Sequence, residues 1–273
     1  CVVFSDIPEM ALYDIIIVGA GSAGCVLANR LSADPSMRVL VVEAGARDRD
    51  PRIRIPGAYG FLFGTGSDWG LWSEPQDGLG GRRLYLPRGK TLGGSSSTNA
   101  MAYVRGNPID YDRWAALGNR GWDYAAMRDC FIRSERFAKP ERVEAGFHGR
   151  GGELHVGYAD RFRSPLAEAF VRAGEQAGLE RNDDCNGSRQ DGVGFFQFTI
   201  RNGRRWSAAD AFLRPALRRG NLDTLTGRQV ERVLMKGERC MGILLTDGTR
   251  IDARKEVVLA AGAFHSPQLL MLS

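Results

Sequence analysis

The feature that most constrains this chain is a strand-sized apolar run that ends in glycine and turns straight into a helix. Tyr13-Asp14-Ile15-Ile16-Ile17-Val18 is rich in β-branched residues and bounded by Gly19, which reads as a strand buried on both faces of a parallel sheet. Gly19-Ala20-Gly21-Ser22-Ala23-Gly24 follows at once. Ala23, Val26, Leu27 and Leu31 then recur at helical spacing, and residues 39–42 form a second apolar run closed by Glu43 and Ala44. A strand, glycine turn, helix and strand within about 30 residues make a βαβ unit that binds dinucleotides. Gly19 permits the tight turn, Gly21 lets backbone approach a pyrophosphate, and Gly24 lets helix and strand pack closely. The helix start at Ser22 and Ala23 presents unpaired N–H groups to an anion. Glu43 can accept hydrogen bonds from a ribose diol and would repel a 2′-phosphate, which disfavours NADP. NAD and FAD both remain open at this point.

Composition removes other classes. Glycine makes up 35 of 273 residues, about 13% against a usual share of roughly 7%, without the every-third-residue spacing of collagen. Charged residues are 25% and apolar ones 43%, so the chain reads as globular, and no apolar run reaches the roughly 18 residues of a transmembrane helix. Net charge is +5. The densest basic group is Arg201, Arg204, Arg205, Arg214, Arg218 and Arg219. It lacks interleaved stacking aromatics and reads as a solvated helix face, so no nucleic-acid partner is expected. Five scattered cysteines without a C-x-x-C pair suggest neither a disulfide framework nor a zinc site, and a cytoplasmic setting is expected. His148, His155 and His265 lack metal-ligand spacing, and no G-x-S-x-G nucleophile elbow is present.

A second glycine segment, Arg88-Gly89-Lys90-Thr91-Leu92-Gly93-Gly94-Ser95-Ser96-Ser97-Thr98-Asn99-Ala100-Met101, resembles the first signature of the glucose-methanol-choline (GMC) flavoprotein oxidoreductases. Tyr103-Val104-Arg105-Gly106 and Asp110-Tyr111-Asp112-Arg113-Trp114 continue the likeness, and Gly262-Ala263-Phe264-His265-Ser266-Pro267-Gln268-Leu269-Leu270 resembles the second signature. The three motifs stand in family order over residues 12–273. The resemblance implies FAD in place of NAD, with its ADP half on Gly19, Gly21, Ser22, Ala23, Gly24, Glu43 and Ala44. It implies that Gly93, Gly94, Ser95, Asn99, Ala100, Met101 and Ala102 cover the pyrophosphate and reach toward the flavin. Val230 matches the position whose backbone reads the adenine, and Ala261 and Gly262 match a close approach to the cofactor. Thr98 occupies the place where some members carry a histidine bonded to the flavin, so the FAD is expected to be non-covalent.

The family's reaction is oxidation of a small-molecule alcohol to an aldehyde or ketone. A histidine base removes the hydroxyl proton and hydride passes to flavin N5. Oxygen, a quinone and a dye are all open as electron acceptor. The family's catalytic pair, a histidine with a second histidine or an asparagine, matches none of the three histidines here and is implied to lie beyond residue 273. The chain therefore reads as the N-terminal part of such an enzyme, inactive by itself.

The expected fold is α/β: a Rossmann-like FAD-binding fold with inserted helices and the start of a second, substrate-binding α+β part. Residues 1–11 read as a lead or tag. Residues 12–60, 86–150 and 203–273 are assigned to the FAD-binding part, and 61–85 and 151–202 to the substrate part. Helices are expected over 108–117 and 123–135. Another is capped by Ser164, opened by Pro165 and stopped by Gly178, with Leu166, Phe170, Ala173 and Ala177 buried. A helix opens at Ser207, paired with Asp210. Residues 222–225 read as a strand, 230–234, 241–246 and 250–253 as a meander, and 256–260 as a further apolar run.

Overall fold

The computed structural model describes residues 12–160 and 163–273, and the lead expected over 1–11 lies outside them. The chain divides into two compact units. One runs through Ala100 and resumes over Ser207–Ser273, and the other is Met101–Trp206. Residues 61–85 thus belong with the glycine loops, and 101–150 with the segment that follows them.

The first unit carries β1 (Tyr13–Val18), α1 (Ser22–Leu31), β2 (Val39–Glu43), β3 (Leu222–Thr226), β4 (Val230–Lys236), β5 (Arg239–Leu245), β6 (Arg250–Leu259) and α2 (Gly262–Leu272). Six strands form one sheet in the order β3-β2-β1-β6-β5-β4. β3, β2, β1 and β6 run parallel, with Ile17 opposite Val41 on one side and Val258 on the other. β4, β5 and the start of β6 form the antiparallel meander. Every residue of β1 and β2 is buried, which is why both are apolar along their whole length instead of alternating. Tyr13, Ile16, Val18, Leu40 and Val42 share one core with Val230, Ile243, Leu245 and Ile251 of the meander and Leu269 of α2.

Two local expectations change. The runs at 250–253 and 256–260 are a single strand, β6, whose first residues pair with β5 and whose remainder pairs with β1. On α1 the buried side is Gly24, Cys25, Ala28 and Asn29, not the Ala23, Val26, Leu27 and Leu31 stripe. Small residues bring the helix close to its neighbours, and the Asn29 amide donates to the Phe212 carbonyl at 2.9 Å, satisfying the buried polar group. The Ser207 and Asp210 pair forms as expected: each side chain accepts from the other's backbone N–H.

In the second unit the strands Ala102–Tyr103, Gln197–Phe198, Leu154–Tyr158 and Glu135–Phe137 form a sheet in that spatial order. The helices Pro108–Ala116 and Tyr124–Ser134 start on Asn107 and Asp123, whose side chains cap backbone N–H groups. Pro165–Gln176 starts at Ser164 as expected, but its predicted buried stripe is exposed, Leu166 at 79% and Phe170 at 73%. The face that packs is centred on Val171, and Gly174 lies so close to Val193 that a Cβ would come within 2.9 Å of it. The arginine group does not make one solvated face. Arg205 is buried, while in the first unit Arg214 is tied to Asp48 and Asp210. Among the described residues no helix is long and apolar enough to cross a membrane, and no acidic, histidine and cysteine group could hold a metal.

Candidate functional site

At the end of β1 the chain turns at Gly19, whose φ of 103° suits glycine. Its N–H donates to the Val42 carbonyl at 2.8 Å, and a Cβ there would lie 2.6 Å from the Ala260 oxygen. A Cβ on Gly24 would lie 1.8 Å from the Gly19 oxygen. The second glycine segment closes on the first. The Gly93 N–H donates to the Ala20 carbonyl at 2.8 Å. Gly94 has a φ of 52°, and its Cβ would come 2.7 Å from Gly21 Cα. Two glycine loops distant in sequence therefore lie backbone on backbone. The Ser96 and Ser97 hydroxyls pin the second loop by donating to the Gly93 and Leu92 carbonyls.

Gly21 differs from its neighbours. Its φ is −75°, and the nearest atom to a Cβ there would be 3.9 Å away. Among the described residues no contact requires glycine at that position, and its bare backbone lines the cavity. Gly21 also precedes the first turn of α1, which has no side-chain cap and no acidic residue. The helix start thus offers free N–H groups and positive dipole to an anion.

Glu43 is 6% exposed and does two things. Its carboxylate accepts from Ala20 N–H at 2.8 Å and from Gly45 N–H at 2.9 Å. It therefore fixes the glycine turn while lining the cavity. Burial pushes its carboxyl up to about 7, against the pull of those two N–H bonds and of Lys90.

These parts enclose one side of a cavity of about 510 Å³, within the usual range of ligand sites. Of the residues expected at a cofactor, Gly19, Gly21, Ser22, Ala23, Glu43, Ala44, Gly94, Ser95, Val230, Ala261 and Gly262 line it. Gly24 and Gly93 are not among the lining residues. They shape the turns behind it, as the contacts above show. Asn99 and Ala100 do not line it either; the Asn99 N–H donates to the Ser95 carbonyl at 2.8 Å. Met101 and Ala102 belong to the second unit, where Met101 holds an unusual φ of 63° and accepts from Thr199 N–H.

Sequence reasoning missed the far wall, made by Trp69, Arg88, Gly89, Phe264 and His265. The Trp69 and His265 rings lie 4.1 Å apart. His265, matched to no role in the sequence, is thus a cavity residue, and burial followed by the charge of Lys90 lowers its basicity. The signal that could have found this wall is the run from Arg88 to Lys90 directly before the second glycine loop. His148 lies elsewhere, in the second unit. It is buried between Glu135 and Asp184, with both ring nitrogens at 3.1 Å from a carboxylate oxygen.

The family model described as GMC oxidoreductase matches residues 13–273. The chain is 46% identical over 264 residues to an oxygen-dependent choline dehydrogenase of Brucella ovis and 44% identical to one of Rhizobium etli. In each case 95% of this chain and 47% of the relative are covered, so the chain spans about half the length of these relatives. Among solved structures it resembles pyridoxine 4-oxidase from Mesorbium loti, with a TM-score of 0.89, 41% identity, and 95% of this chain and 51% of that one covered. A formate oxidase from Aspergillus oryzae RIB40, studied for FAD modification, gives a TM-score of 0.87 at 28% identity, covering 96% and 48%.

Proposed function

The chain belongs to the GMC oxidoreductase family, and from that premise we propose that it holds FAD non-covalently for the oxidation of a small alcohol to an aldehyde or ketone. The observation that carries this reading is Gly21: a glycine that no protein contact demands, set between an uncapped helix start and the Gly94 turn, and open to the cavity. The residues fit the group. Glu43 is placed to accept from ribose hydroxyls. Gly19, Ser22, Ala23 and the Gly93-Gly94-Ser95 turn offer backbone to a pyrophosphate. Val230, Ala261 and Gly262 line the same cavity and would hold the adenine and the remainder of the cofactor. FAD, when bound, supplies the hydride acceptor that no side chain here can provide. Thr98 is nearly buried and lacks the ring nitrogen through which a flavin is tethered, which is the basis for a non-covalent site.

The test is direct. The purified chain mixed with FAD and desalted is expected to keep flavin absorbance, and acid precipitation is expected to leave that flavin in the supernatant. Flavin retained in the pellet would refute the non-covalent site. Retention of NAD but not FAD would replace the reading with an NAD-dependent dehydrogenase.

Glu43 gives the binding a pH dependence. Ribose hydroxyls donate to the ionised carboxylate and so favour it. Because the carboxyl is raised to about 7, FAD affinity is expected to rise as pH increases through that value. The stability of the ligand-free unit moves the opposite way. The contribution of Glu43 is complete below the ordinary carboxyl range and is lost as pH rises through about 7. Titrations on either side of neutrality should show the affinity gain, and Glu43→Gln should flatten it. An equal slope in that variant would assign the pH effect to another group.

A further inference from the structure

The arginine group that stands out in the sequence is only partly absorbed by the fold. Arg205 is buried and Arg214 is paired with acids, but Arg201 and Arg204 are not taken up in this way. They stand on the short strands Ile200–Arg201 and Arg204–Arg205 of the second unit. Asn202 and Gly203 join these strands with φ values of 52° and 77°, the left-handed pair that a two-residue hairpin turn uses. The turn sets the register, so Arg201 faces Arg204 directly across the ribbon. Like charges in that position repel, and both side chains are exposed.

The neighbouring strands add to the charge. Leu154–Tyr158 lies against Ile200–Arg201, and its His155 is in parallel register with Arg136 of Glu135–Phe137. Arg136 is exposed and His155 half-buried, whereas Glu135 and Phe137 on either side of Arg136 are buried on the opposite face. Burial, then the charges of Arg201 and Arg136, lower the basicity of His155, so both arginines act on one imidazole. Among the described residues Arg136, Arg201 and Arg204 make no ion pair.

Arg201 is also held in place. Its guanidinium lies 4.6 Å from the centre of the Trp206 ring. Trp206 Nε1–H donates to the Glu153 carbonyl at 3.0 Å and its backbone N–H to the Thr199 carbonyl at 2.8 Å, which fixes the ring. A ring face orients a guanidinium and leaves its charge and outer N–H groups available. A repulsive arrangement that the fold keeps and braces marks a place where a ligand restores the balance.

We infer that Arg136, His155, Arg201 and Arg204 form a binding site for a doubly charged oxyanion of the phosphate class. A guanidinium matches two phosphate oxygens at once, and the imidazole adds a donor. The site lies within Met101–Trp206 and does not depend on the FAD reading.

The test follows the histidine ring signals of the full chain by NMR as pH is varied, with inorganic phosphate, with glycerol 3-phosphate, and with sodium chloride at matched ionic strength. His155→Gln identifies the His155 signal, and His148, enclosed by Glu135 and Asp184, is the internal control. Phosphate is expected to raise the pH at which His155 titrates by about 0.5 or more beyond the effect of chloride, because a bound anion offsets the two arginines. An effect of inorganic phosphate at least as large as that of the ester assigns the site to the free ion. A larger effect of the ester assigns it to a phosphate carried on a small molecule. Arg201→Gln and Arg204→Gln should each weaken phosphate binding about tenfold with the melting temperature unchanged, and Arg204→Lys should recover most of it. A His155 midpoint that phosphate moves no more than chloride does, or phosphate binding undiminished in both glutamine variants, would overturn the inference, whatever the outcome for FAD.

Discussion

Gly24→Val is expected to unfold the first unit, whereas Gly21→Val leaves it folded but unable to hold FAD. The two glycines stand three residues apart in one motif, yet different things demand them. A Cβ on Gly24 would lie 1.8 Å from the Gly19 oxygen and 3.0 Å from its carbon, both backbone atoms. Gly19 cannot retreat, because its own Cβ position is 2.6 Å from the Ala260 oxygen. The strain passes from α1 through the turn to the end of β6, and a loss of about 4 kcal/mol or more follows. Gly21 has a backbone conformation open to valine and 3.9 Å of space on the protein side. Its side chain would occupy the ground where the pyrophosphate lies, at a loss of roughly 100-fold in affinity or more. Thermal melting and flavin titration of the two variants separate the effects. Gly21→Val binding FAD like wild type would remove the main support for the site.

The second large effect lies in the other unit. Glu135 is fully buried and serves three partners: Arg105 at 3.0 Å, His148 at 3.1 Å and Gly149 N–H at 2.7 Å. Asp184 takes the other side of the His148 ring and also accepts from Gln197 at 2.8 Å. With His148 protonated, two cations face two carboxylates and the cluster is neutral. Burial lowers the His148 pKa, but the hydrogen bonds to Asp184 and Glu135 outweigh it and raise the imidazole to about 8. A folded-state value above the ordinary one means that this stabilisation is complete below about 6.5. It is lost as pH rises through about 8 and amounts to roughly 2 kcal/mol. Denaturant midpoints for the second unit should therefore fall from mildly acidic to alkaline pH. His148→Gln should remove most of that fall, and an identical fall in the variant would show that other groups cause it. Glu135→Gln strands Arg105 without its buried partner and is expected to cost about 3–5 kcal/mol.

What the sequence disclosed and what it hid divide along a physical line. β1, the glycine turn, α1 and β2 are local: periodicity, turn chemistry and one acidic residue specify them within a few turns of chain. The helix starts at Pro108 and Tyr124 are equally local, since Asn107 and Asp123 cap neighbouring N–H groups; the start at Pro165 rests on proline in the first turn, because Ser164 makes no side-chain capping bond. Features that depend on distant partners were not. The far wall exists because residues 67–69 pair with 88–90 and because α2 brings His265 against Trp69. The exposed stripe of Leu166 and Phe170 has the same periodicity as a buried one, and periodicity does not say whether a partner covers it. The Glu43 position was readable from its spacing. Its grip on Ala20 and Gly45 was not, because that depends on how the turn folds back over β2.

The strand order carries a consequence for how the protein is made. β1 lies between β2 and β6, and β2 lies between β1 and β3, so these two strands wait for partners encoded much later, at 222–226 and 250–259. Chains emerge N-terminus first, and pairings between distant segments form slowly. Met101–Trp206 is continuous in sequence and holds its own sheet, so it can close while β1 and β2 still have open edges. Throughout that interval two of the most apolar strands of the molecule are bare to neighbouring chains. Translation rate and chaperone supply should then govern the soluble yield of this protein more than the stability of its finished fold.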